Sequence, residues 1–164
     1  MRYRIGLGYD VHRLAEGETL WLGGILIPHE KGLVAHSDGD VLLHAICDAL
    51  LGAAKLRDIG FHFPDTSTEF KNIDSKVLLA KTYRLVTEKG YELVNLDATI
   101  SAQRPRLKDY IPGMELAVSG VLRVDPELVN IKATTTEKLG FEGREEGISA
   151  QVVVLISKLG DQII

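Results

Sequence analysis

Asp10 and His12 stand two residues apart in a segment, residues 3–11, whose composition favours an extended chain. Alternate side chains of a strand project from one face, so this carboxylate and this imidazole lie next to each other. A helix is predicted over residues 41–53 from apolar residues three and four apart, and it carries His44 in its second turn. Together the three side chains would form a three-ligand zinc site with its fourth position open to a substrate.

A simpler interpretation of each residue stands beside this one. A single histidine on a helix is more often a half-buried polar side chain than a metal ligand. The spacing of Asp10 and His12 does not by itself bring the strand against the helix that carries His44. Both interpretations stay open at this point.

Residues 55–65 form a loop with more chemical groups than a turn needs. They include two carboxylates, one histidine and two phenylalanines. The segment is either a surface loop anchored by Phe61 and Phe63 or a loop that covers a substrate.

Residues 132–137 end a predicted strand with an ammonium group, three hydroxyls and a carboxylate. Such a group of side chains suits phosphate oxygens together with a hard cation such as Mg²⁺. Threonine is also a common strand residue, so a purely structural role fits equally well.

The composition is that of a single globular domain spanning residues 1–164, with 45% hydrophobic and 26% charged residues. The net charge is −4 and the basic residues are scattered, which argues against nucleic-acid binding. No apolar run approaches the roughly 20 residues of a membrane span, and the first residues lack the apolar segment of a signal peptide. We therefore expect a cytoplasmic protein. Its single cysteine, Cys47, lies among apolar helix residues and is expected to be a buried thiol.

Predicted strands and helices alternate without repeats or low-complexity linkers. Strands are predicted over residues 3–11, 20–27, 91–102, 129–135 and 148–159. Helices are predicted over residues 41–53 with Ser37 or Asp38 as N-cap, from Asp74 or Ser75 to the residue before Gly90, and over residues 108–122. A polar turn at residues 15–18 would allow the first two strands to pair as a hairpin, and Pro28 would end the second.

The last strand is an apolar run, residues 152–156, that predicts burial on both of its faces. So much apolar, β-branched surface in a small chain suggests helices on one side of a sheet and another subunit on the other side.

Taken together, the motifs resemble the 2-C-methyl-D-erythritol 2,4-cyclodiphosphate synthases of the non-mevalonate isoprenoid pathway, along nearly the whole chain. The segments that carry the resemblance occur in the family's order, and they are residues 4–6 and 8–12, 35–45, 48–54, 58–60 and 63–65, 132–141 and 143–144. A chance match over so many segments in the same order is not a realistic explanation of the resemblance.

The resemblance implies an α/β (α+β) single domain, a mixed sheet with helices on one face, and a homotrimer whose sheets pack around a threefold axis. It implies a cyclising phosphorus–oxygen lyase with active sites at the subunit interfaces. In that reaction the 2-phosphate of a cytidine diphosphate ester of methylerythritol attacks the β-phosphorus and CMP leaves. The family pattern assigns Zn²⁺ to Asp10, His12 and His44, and a second cation, Mg²⁺ or Mn²⁺, to Glu137.

The family pattern also implies the substrate contacts. His36 and Ser37 hold the 2-phosphate, while Asp58 and Gly60, with Asp65 nearby, meet the methylerythritol part. In the family pattern, the residues that form the cytosine slot are Ala102, Pro105, Arg106 and Leu107. The residues that hold the cytidine phosphates are Lys132, Thr134 and Thr135. Besides Glu137, the catalytic set would comprise His36 and Thr135. Asp10 and His12 would contact the substrate through the metal ion that they bind.

Some relatives bind an isoprenoid diphosphate in an apolar cavity on the trimer axis. Phe141 and Arg144 match the residues of that site and are expected to contact such a ligand. Two positions depart from the pattern, because Glu145 replaces a frequent glycine and Gln151 replaces a frequent glutamate. The acidic neighbour expected for Arg144 is therefore missing from position 151.

Two other classes of protein would use parts of the same residue set. A metal-dependent phosphohydrolase could use the ligands but would need a general base to activate water. A non-catalytic trimer that binds prenyl diphosphates would need Arg144 and the apolar axis but not the zinc ligands. Product analysis separates the first from a synthase, and mutation of His12 separates the second.

Overall fold

The computed structural model describes residues 2–64 and 73–160. Its strands are β1 Tyr3–Glu16, β2 Leu20–Leu22, β3 Ile25–Ile27, β4 Lys31–Val34, β5 Tyr91–Ser101, β6 Val129–Thr134 and β7 Gly147–Lys158. Its helices are α1 Val41–Ala53, α2 Ile59–His62, α3 Ser75–Glu88, α4 Ile111–Leu122 and α5 Gly140–Gly143. Short 3-10 turns occupy Lys108–Tyr110 and Pro126–Leu128.

The main sheet has five strands in the order β4-β1-β7-β5-β6, and a separate two-stranded sheet joins β2 to β3. All pairs of the main sheet are antiparallel except β5 and β6, which are parallel. The predicted α/β single domain with a mixed sheet is confirmed.

Helix α1 packs directly on β1 because two glycines remove the side chains between them. A Cβ atom at Gly6 would lie 1.9 Å from the Ala49 carbonyl oxygen, and one at Gly8 would lie 1.9 Å from that of Ala45. Neither contact is possible for a real side chain, so the backbones of strand and helix touch. The core lies between this helix layer and the sheet, and it includes Leu42, Ile46, Leu50, Val152, Val154 and Ile156.

The opposite side of the sheet carries large apolar side chains that the described part of the chain does not cover. Ile5 is 74% exposed, Leu7 69% and Val153 48%. We call this surface the open face of the sheet, and its exposed apolar residues on β1 and β7 are Ile5, Leu7, Tyr9, Val11 and Val153. The prediction that the last strand is buried on both faces is therefore wrong for the single chain, since Gln151 and Val153 are exposed between buried neighbours on β7.

The region before α1 differs most from its prediction. Residues 20–27 are not one strand, because Gly23 and Gly24 have φ of 63° and 79° and turn the chain between β2 and β3. The first strand pairs instead with β4, which the sequence did not predict, from Arg13 opposite Val34 to Glu16 opposite Lys31.

The N-cap of α1 is Asp40, so the prediction of Ser37 or Asp38 is wrong. The buried Asp40 carboxylate accepts the N–H of Leu43 at 3.0 Å and also the N–H of Gly23 at 3.0 Å. It therefore fixes the β2–β3 turn to the start of the helix, a long-range contact that local capping preferences do not contain.

The prediction that β1 ends at residue 11 is wrong, because pairing with β4 extends it to Glu16, and the short helices α2 and α5 were not predicted. The longer elements after α1 agree with the sequence to within a few residues. Asp74 caps α3, Gly90 follows its end with φ of 83°, and Pro112 is accommodated in the first turn of α4. Cys47 is buried, and burial raises the pKa of its thiol to about 12. Within residues 2–64 and 73–160, no helix is both long and apolar enough to cross a bilayer.

Candidate active site

The three predicted metal ligands meet in the structure. Asp10 Oδ2 lies 3.0 Å from His12 Nε2 and 3.1 Å from His44 Nδ1, and the two nitrogens are 2.9 Å apart. The first two side chains project from the helix-facing side of β1, and the third comes from α1. Strand β1 and helix α1 are in backbone contact at Gly6 and Gly8. This close contact brings Asp10 and His12, further along β1, next to His44 on α1.

This triangle of donor atoms has the size of one face of a zinc site. Tetrahedral zinc with bonds of about 2.0–2.2 Å requires ligand atoms about 3.3–3.6 Å apart. A movement of a few tenths of an ångström at each side chain is enough to reach those separations. Among the described residues, Asp10, His12 and His44 are the one group of histidine, cysteine and acidic side chains close enough to hold a metal ion.

The electrostatics of the ligands favour a shared cation. Burial alone would raise the pKa of the Asp10 carboxyl, but His12 and His44 outweigh it and hold that pKa well below its usual range. Burial likewise lowers the pKa of His44, but the carboxylates of Asp10, Asp40 and Asp38 together raise it, and the net direction is upward. The carboxylate therefore stays ionised and the site attracts positive charge at its centre.

The first cavity, of about 360 Å³, opens beside the metal ligands. His36, Ser37 and Gly60 line it, as the sequence predicts for substrate contacts, and so does Asp48, which was not predicted. Asp58 lies next to this cavity as the N-cap of α2, accepting the N–H of Phe61 at 2.9 Å. Asp65 lies outside the described residues.

The loop over residues 55–64 contributes to the wall of the first cavity. Ile59 and Phe63 line the cavity, whereas Phe61 is exposed and lies under the guanidinium of Arg57 at 4.1 Å. Only one of the two phenylalanines anchors the loop, and the loop faces the metal ligands. These contacts favour the interpretation as a substrate-facing loop.

The second cavity, of about 510 Å³, lies at the ends of β5 and β6. Its walls include most of the residues predicted to form the cytosine slot and the phosphate contacts, namely Ala102, Pro105, Arg106, Leu107, Thr134 and Thr135. The first and second cavities have no lining residue in common. A single chain therefore presents two separate parts of the predicted site.

Glu137 and Lys132 lie in neither cavity lining. The Glu137 carboxylate is exposed, and its Oε1 accepts the hydroxyl of Thr135 at 3.0 Å. The Lys132 ammonium contacts the Asp97 carboxylate on the neighbouring strand at 2.5 Å, and this contact lowers the pKa of Asp97. Both side chains are thus exposed, and they lie near the second cavity rather than beside the predicted zinc ligands.

Arg144 has an acidic partner that the resemblance to the family did not identify. Its guanidinium donates to both carboxylate oxygens of Glu146, at 2.9 and 3.0 Å. Gln151, the position of the expected glutamate, lies opposite Tyr9 in the sheet. Phe141 lies beside Gly147, where its ring would be 3.3 Å from an added Cβ. The spacing Arg-x-Glu at residues 144–146 was the signal available in the sequence.

Ser75 is a second residue that sequence reasoning assigned only to a helix end. Its buried hydroxyl lies 3.0 Å from His44 Nε2, the ring nitrogen that faces away from the metal position. Ser37 Oγ lies 3.1 Å from the same nitrogen.

Comparison with known proteins gives a consistent set of relatives. The model of the YgbB family matches residues 3–157. A 2-C-methyl-D-erythritol 2,4-cyclodiphosphate synthase of Bacteroides fragilis is 62% identical over 159 residues, covering 97% of this chain and 100% of the relative. The synthase of the same name from Azotobacter vinelandii is 61% identical over 156 residues, covering 95% and 99%.

Solved structures agree. A 2C-methyl-D-erythritol-2,4-cyclodiphosphate synthase in its CDP-bound form has a TM-score of 0.87 and 38% identity, covering 94% of this chain and 100% of that one. The bifunctional IspDF of Campylobacter jejuni has a TM-score of 0.93 and 46% identity over 96% of this chain. This chain spans 42% of that larger protein.

Proposed function

This chain belongs to the YgbB family and shares the activity of its named relatives, the synthesis of 2-C-methyl-D-erythritol 2,4-cyclodiphosphate, and we propose how its own residues carry out that reaction. The observation that carries the proposal is the convergence of Asp10, His12 and His44 in a chain 62% identical to such a synthase over its full length. The enzyme is a cyclising lyase of the non-mevalonate isoprenoid pathway, and we expect it in the cytoplasm.

The substrate is 4-diphosphocytidyl-2-C-methyl-D-erythritol 2-phosphate. An oxygen of its 2-phosphate forms a new bond to the β-phosphorus, and the bond from that phosphorus to the bridging oxygen breaks. The electron pair of the broken bond stays on the phosphate of CMP, which leaves. Because attacking and leaving groups belong to one molecule, the protein contributes mainly orientation and charge stabilisation.

Asp10, His12 and His44 hold Zn²⁺ in this proposal. When bound there, zinc would act as a Lewis acid on a β-phosphate oxygen through its open position. His36 and Ser37 lie on the wall of the same cavity, where an imidazole and a hydroxyl suit the oxygens of the attacking 2-phosphate. The carboxylate of Asp58 and the backbone at Gly60 suit the methylerythritol hydroxyls, with Asp65 assigned to the same part of the substrate.

Glu137 supplies the protein ligand of the second cation, Mg²⁺ or Mn²⁺, shared with the substrate phosphates. One carboxylate plus substrate phosphates is an ordinary environment for Mg²⁺. The Thr135 hydroxyl, 3.0 Å from Oε1, orients that carboxylate. Lys132, Thr134 and Thr135 offer an ammonium and two hydroxyls to the cytidine phosphates, once Lys132 exchanges its contact with Asp97 for a phosphate oxygen.

The second cavity receives cytidine. Ala102, Pro105, Arg106 and Leu107 form part of its wall, and its backbone groups would read the edge of the base. A related structure in its CDP-bound form supports a nucleotide ligand for this fold. A pocket read through backbone groups keeps its preference for cytosine when side chains vary.

A homotrimer completes the site. The substrate must contact both cavities at once, yet within one chain they have no wall in common. The open face of the sheet offers a large apolar surface for a second copy, and in a cyclic trimer the same two unlike surfaces meet at every interface. We place Asp10, His12, His44 and Asp58 on one subunit and the second cavity on its neighbour.

The trimer axis is also the proposed place for a prenyl diphosphate. Phe141 and Arg144 are the assigned contacts, and the open face supplies apolar surface. In this chain Arg144 donates to Glu146, so Glu146 takes the role of the acidic neighbour that position 151 lacks.

Phosphorus NMR of the purified protein with the cytidylated substrate and Mg²⁺ tests the reaction. We expect resonances of the cyclic diphosphate and of CMP to appear together, in equal amounts. The His12→Ala variant should give neither, whereas Glu127→Gln, at an exposed glutamate in the Pro126–Leu128 turn, should react like the parent. A ring-opened phosphate in place of the cyclic product would identify a phosphohydrolase and contradict the proposal.

A further inference from the structure

We propose that Ser75 and Asp38 are a positioning pair that fixes the proton of His44 on Nε2 and so keeps Nδ1 bare for the metal. The inference rests on the proposed metal site. Neither side chain lines the first cavity, so both act through His44 rather than on the substrate.

The geometry joins three elements of the fold. Ser75 is the first residue of α3 and is fully buried, and its Oγ lies 3.0 Å from His44 Nε2 on α1. The same hydroxyl donates to Asp38 Oδ1 at 2.5 Å, and the Ser75 backbone N–H donates to Asp38 Oδ2 at 2.9 Å. Asp38 lies on the loop before α1, and His44 Nδ1 faces Asp10 on β1.

The direction of these hydrogen bonds follows from counting hydrogens. A serine hydroxyl has one hydrogen, and a carboxylate only accepts, so the hydrogen of Ser75 Oγ belongs to the bond with Asp38. Towards His44 the same oxygen offers only lone pairs. The Ser75 oxygen therefore favours a hydrogen on Nε2. Nδ1 faces the Asp10 carboxylate at 3.1 Å and His12 Nε2 at 2.9 Å, and with a metal ion between these three groups Nδ1 would present the lone pair that the metal requires.

Ser37 does not determine which ring nitrogen of His44 carries the hydrogen. Its Oγ lies 3.1 Å from His44 Nε2 and accepts the N–H of Gly39 at 3.2 Å, but within residues 2–64 and 73–160 no carboxylate accepts its hydroxyl hydrogen. It can donate to or accept from the ring. Ser75 alone, of the two serines beside this nitrogen, has its hydrogen fixed elsewhere.

A carboxylate is needed at position 38 because it accepts on both oxygens. Oδ2 receives the Ser75 N–H, and Oδ1 receives the Ser75 hydroxyl and the N–H of Asp40 at 3.2 Å. An asparagine has one acceptor oxygen. If that oxygen keeps the backbone bond, its NH₂ group faces Ser75 Oγ, which must then donate to His44 and move the ring hydrogen to Nδ1.

The first test needs no variant. Long-range proton–nitrogen NMR of the zinc-loaded parent reports which ring nitrogen of His44 carries hydrogen and which one binds zinc. We expect the Nε2–H tautomer. A neutral His44 with its hydrogen on Nδ1 would overturn the proposal, and this result stands whether or not any variant folds.

The second test measures zinc affinity by competition with a chelator. Ser75→Ala and the nearly isosteric Asp38→Asn should each bind zinc about 10–100-fold more weakly than the parent, as expected for loss of a group that orients a metal-bound histidine. Ser119→Ala is the matched control, because Ser119 is also buried and its hydroxyl bonds only to a backbone carbonyl, that of Leu116. It should bind zinc within about twofold of the parent.

The outcomes are distinguishable. Parental zinc affinity in both Ser75→Ala and Asp38→Asn would overturn the positioning role. A parent protein that binds no zinc would contradict the proposed metal site instead. Loss of the Nε2–H signal in Ser75→Ala, but not in Ser119→Ala, is the spectroscopic result that a merely structural role of Ser75 would not produce.

Discussion

Two imidazoles and one carboxylate form a donor set that favours zinc over magnesium, because imidazole is too soft a ligand for the harder ion. We therefore expect the purified, unchelated protein to contain about one zinc ion per chain. His12→Ala and His44→Ala should lose most of it, and His29→Ala should keep it. Elemental analysis of the three variants measures this directly, and unchanged zinc in His12→Ala and His44→Ala would contradict the ligand assignment.

Glu137 should be required for turnover but not for zinc binding. Glu137→Gln removes the charge that holds the second cation while leaving the three zinc ligands in place. We expect zinc content and assembly to be unchanged and kcat to fall about 100-fold or more, the scale on which removal of transition-state charge stabilisation acts.

The control for Glu137→Gln is Glu127→Gln, a change at an exposed glutamate in a 3-10 turn. It should turn over like the parent. Parental rates for Glu137→Gln across a wide range of Mg²⁺ concentrations would remove Glu137 from the second cation site.

Asp48 gives a pH-dependent prediction. Burial raises the pKa of its carboxyl, although the N–H of Ile59, 2.7 Å from Oδ1, acts in the opposite direction. The folded state thus binds this proton more tightly than the unfolded state, so the ionised carboxylate destabilises the fold at neutral pH. This destabilisation disappears as the pH falls below the ordinary aspartate value of about 4.

We expect Asp48→Asn in metal-free protein to raise the midpoint of thermal unfolding at neutral pH, because the amide oxygen can still accept from Ile59. The difference from the parent should vanish near pH 4, to within about a degree. Asp109→Asn, at an exposed position, serves as the control with little change at either pH. A lower midpoint for Asp48→Asn at neutral pH would show that the ionised carboxylate stabilises the fold, contrary to this prediction.

At the scale of residues, the sequence identified the metal ligands but not their partners. Asp10 and His12 are two apart on a strand and His44 lies on a predicted helix, but this spacing left open whether the strand and the helix meet, and the resemblance to the family joined the three residues. Ser75 was missed because its role arises from a tertiary contact, with His44 across 31 positions of sequence. Glu146 is only two residues from Arg144, and it was missed because the family pattern pairs that arginine with position 151.

The contact between β1 and α1 positions the metal ligands, and it depends on the absence of side chains at Gly6 and Gly8. We expect Gly8→Ala to destabilise the protein by about 3 kcal/mol or more, because the added methyl group would overlap a backbone carbonyl that cannot move independently. Denaturant unfolding of the metal-free protein measures the change.

Gly52→Ala is the matched control, since Gly52 lies in α1 and a Cβ there meets nothing within 4 Å. It should leave stability unchanged or raise it by about 0.5–1 kcal/mol through helix propensity. Equal behaviour of Gly8→Ala and Gly52→Ala would show that the strand and helix are not in direct backbone contact.

At the scale of elements, the long periodic segments were predictable and the short ones were not. α1, α3 and β5 follow from apolar spacing and from capping or glycine signals at their ends. The division of residues 20–27 into β2 and β3 depends on Gly23 and Gly24, and β4 has only four residues. The N-cap of α1 was misassigned because Asp38 and Asp40 both suit a cap, and only their tertiary partners separate them.

At the scale of the whole molecule, the prediction that β7 is buried on both faces is wrong for one chain, since residues of the open face such as Ile5 and Leu7 are apolar and widely exposed. In the proposed trimer a neighbouring subunit would cover this face. The apolar pattern of β7 would then report burial in the proposed assembly and not in the monomer. The proposed trimer explains both the open face of the sheet and the separation of the first and second cavities within one chain.

The central claim is that each active site combines the metal ligands of one subunit with the second cavity of its neighbour. Two inactive variants test it together. His12→Ala removes a ligand, and Ala133→Trp fills the second cavity from an exposed position on β6. Neither variant should form the cyclic product alone.

Equal amounts of His12→Ala and Ala133→Trp, unfolded and refolded together, should recover roughly a quarter of the parental activity per chain, because one neighbouring pair in four unites two intact halves in a cyclic assembly. Mass spectrometry verifies that mixed trimers have formed. A mixture of verified mixed trimers as inactive as its components would contradict the account and confine the whole reaction to a single subunit.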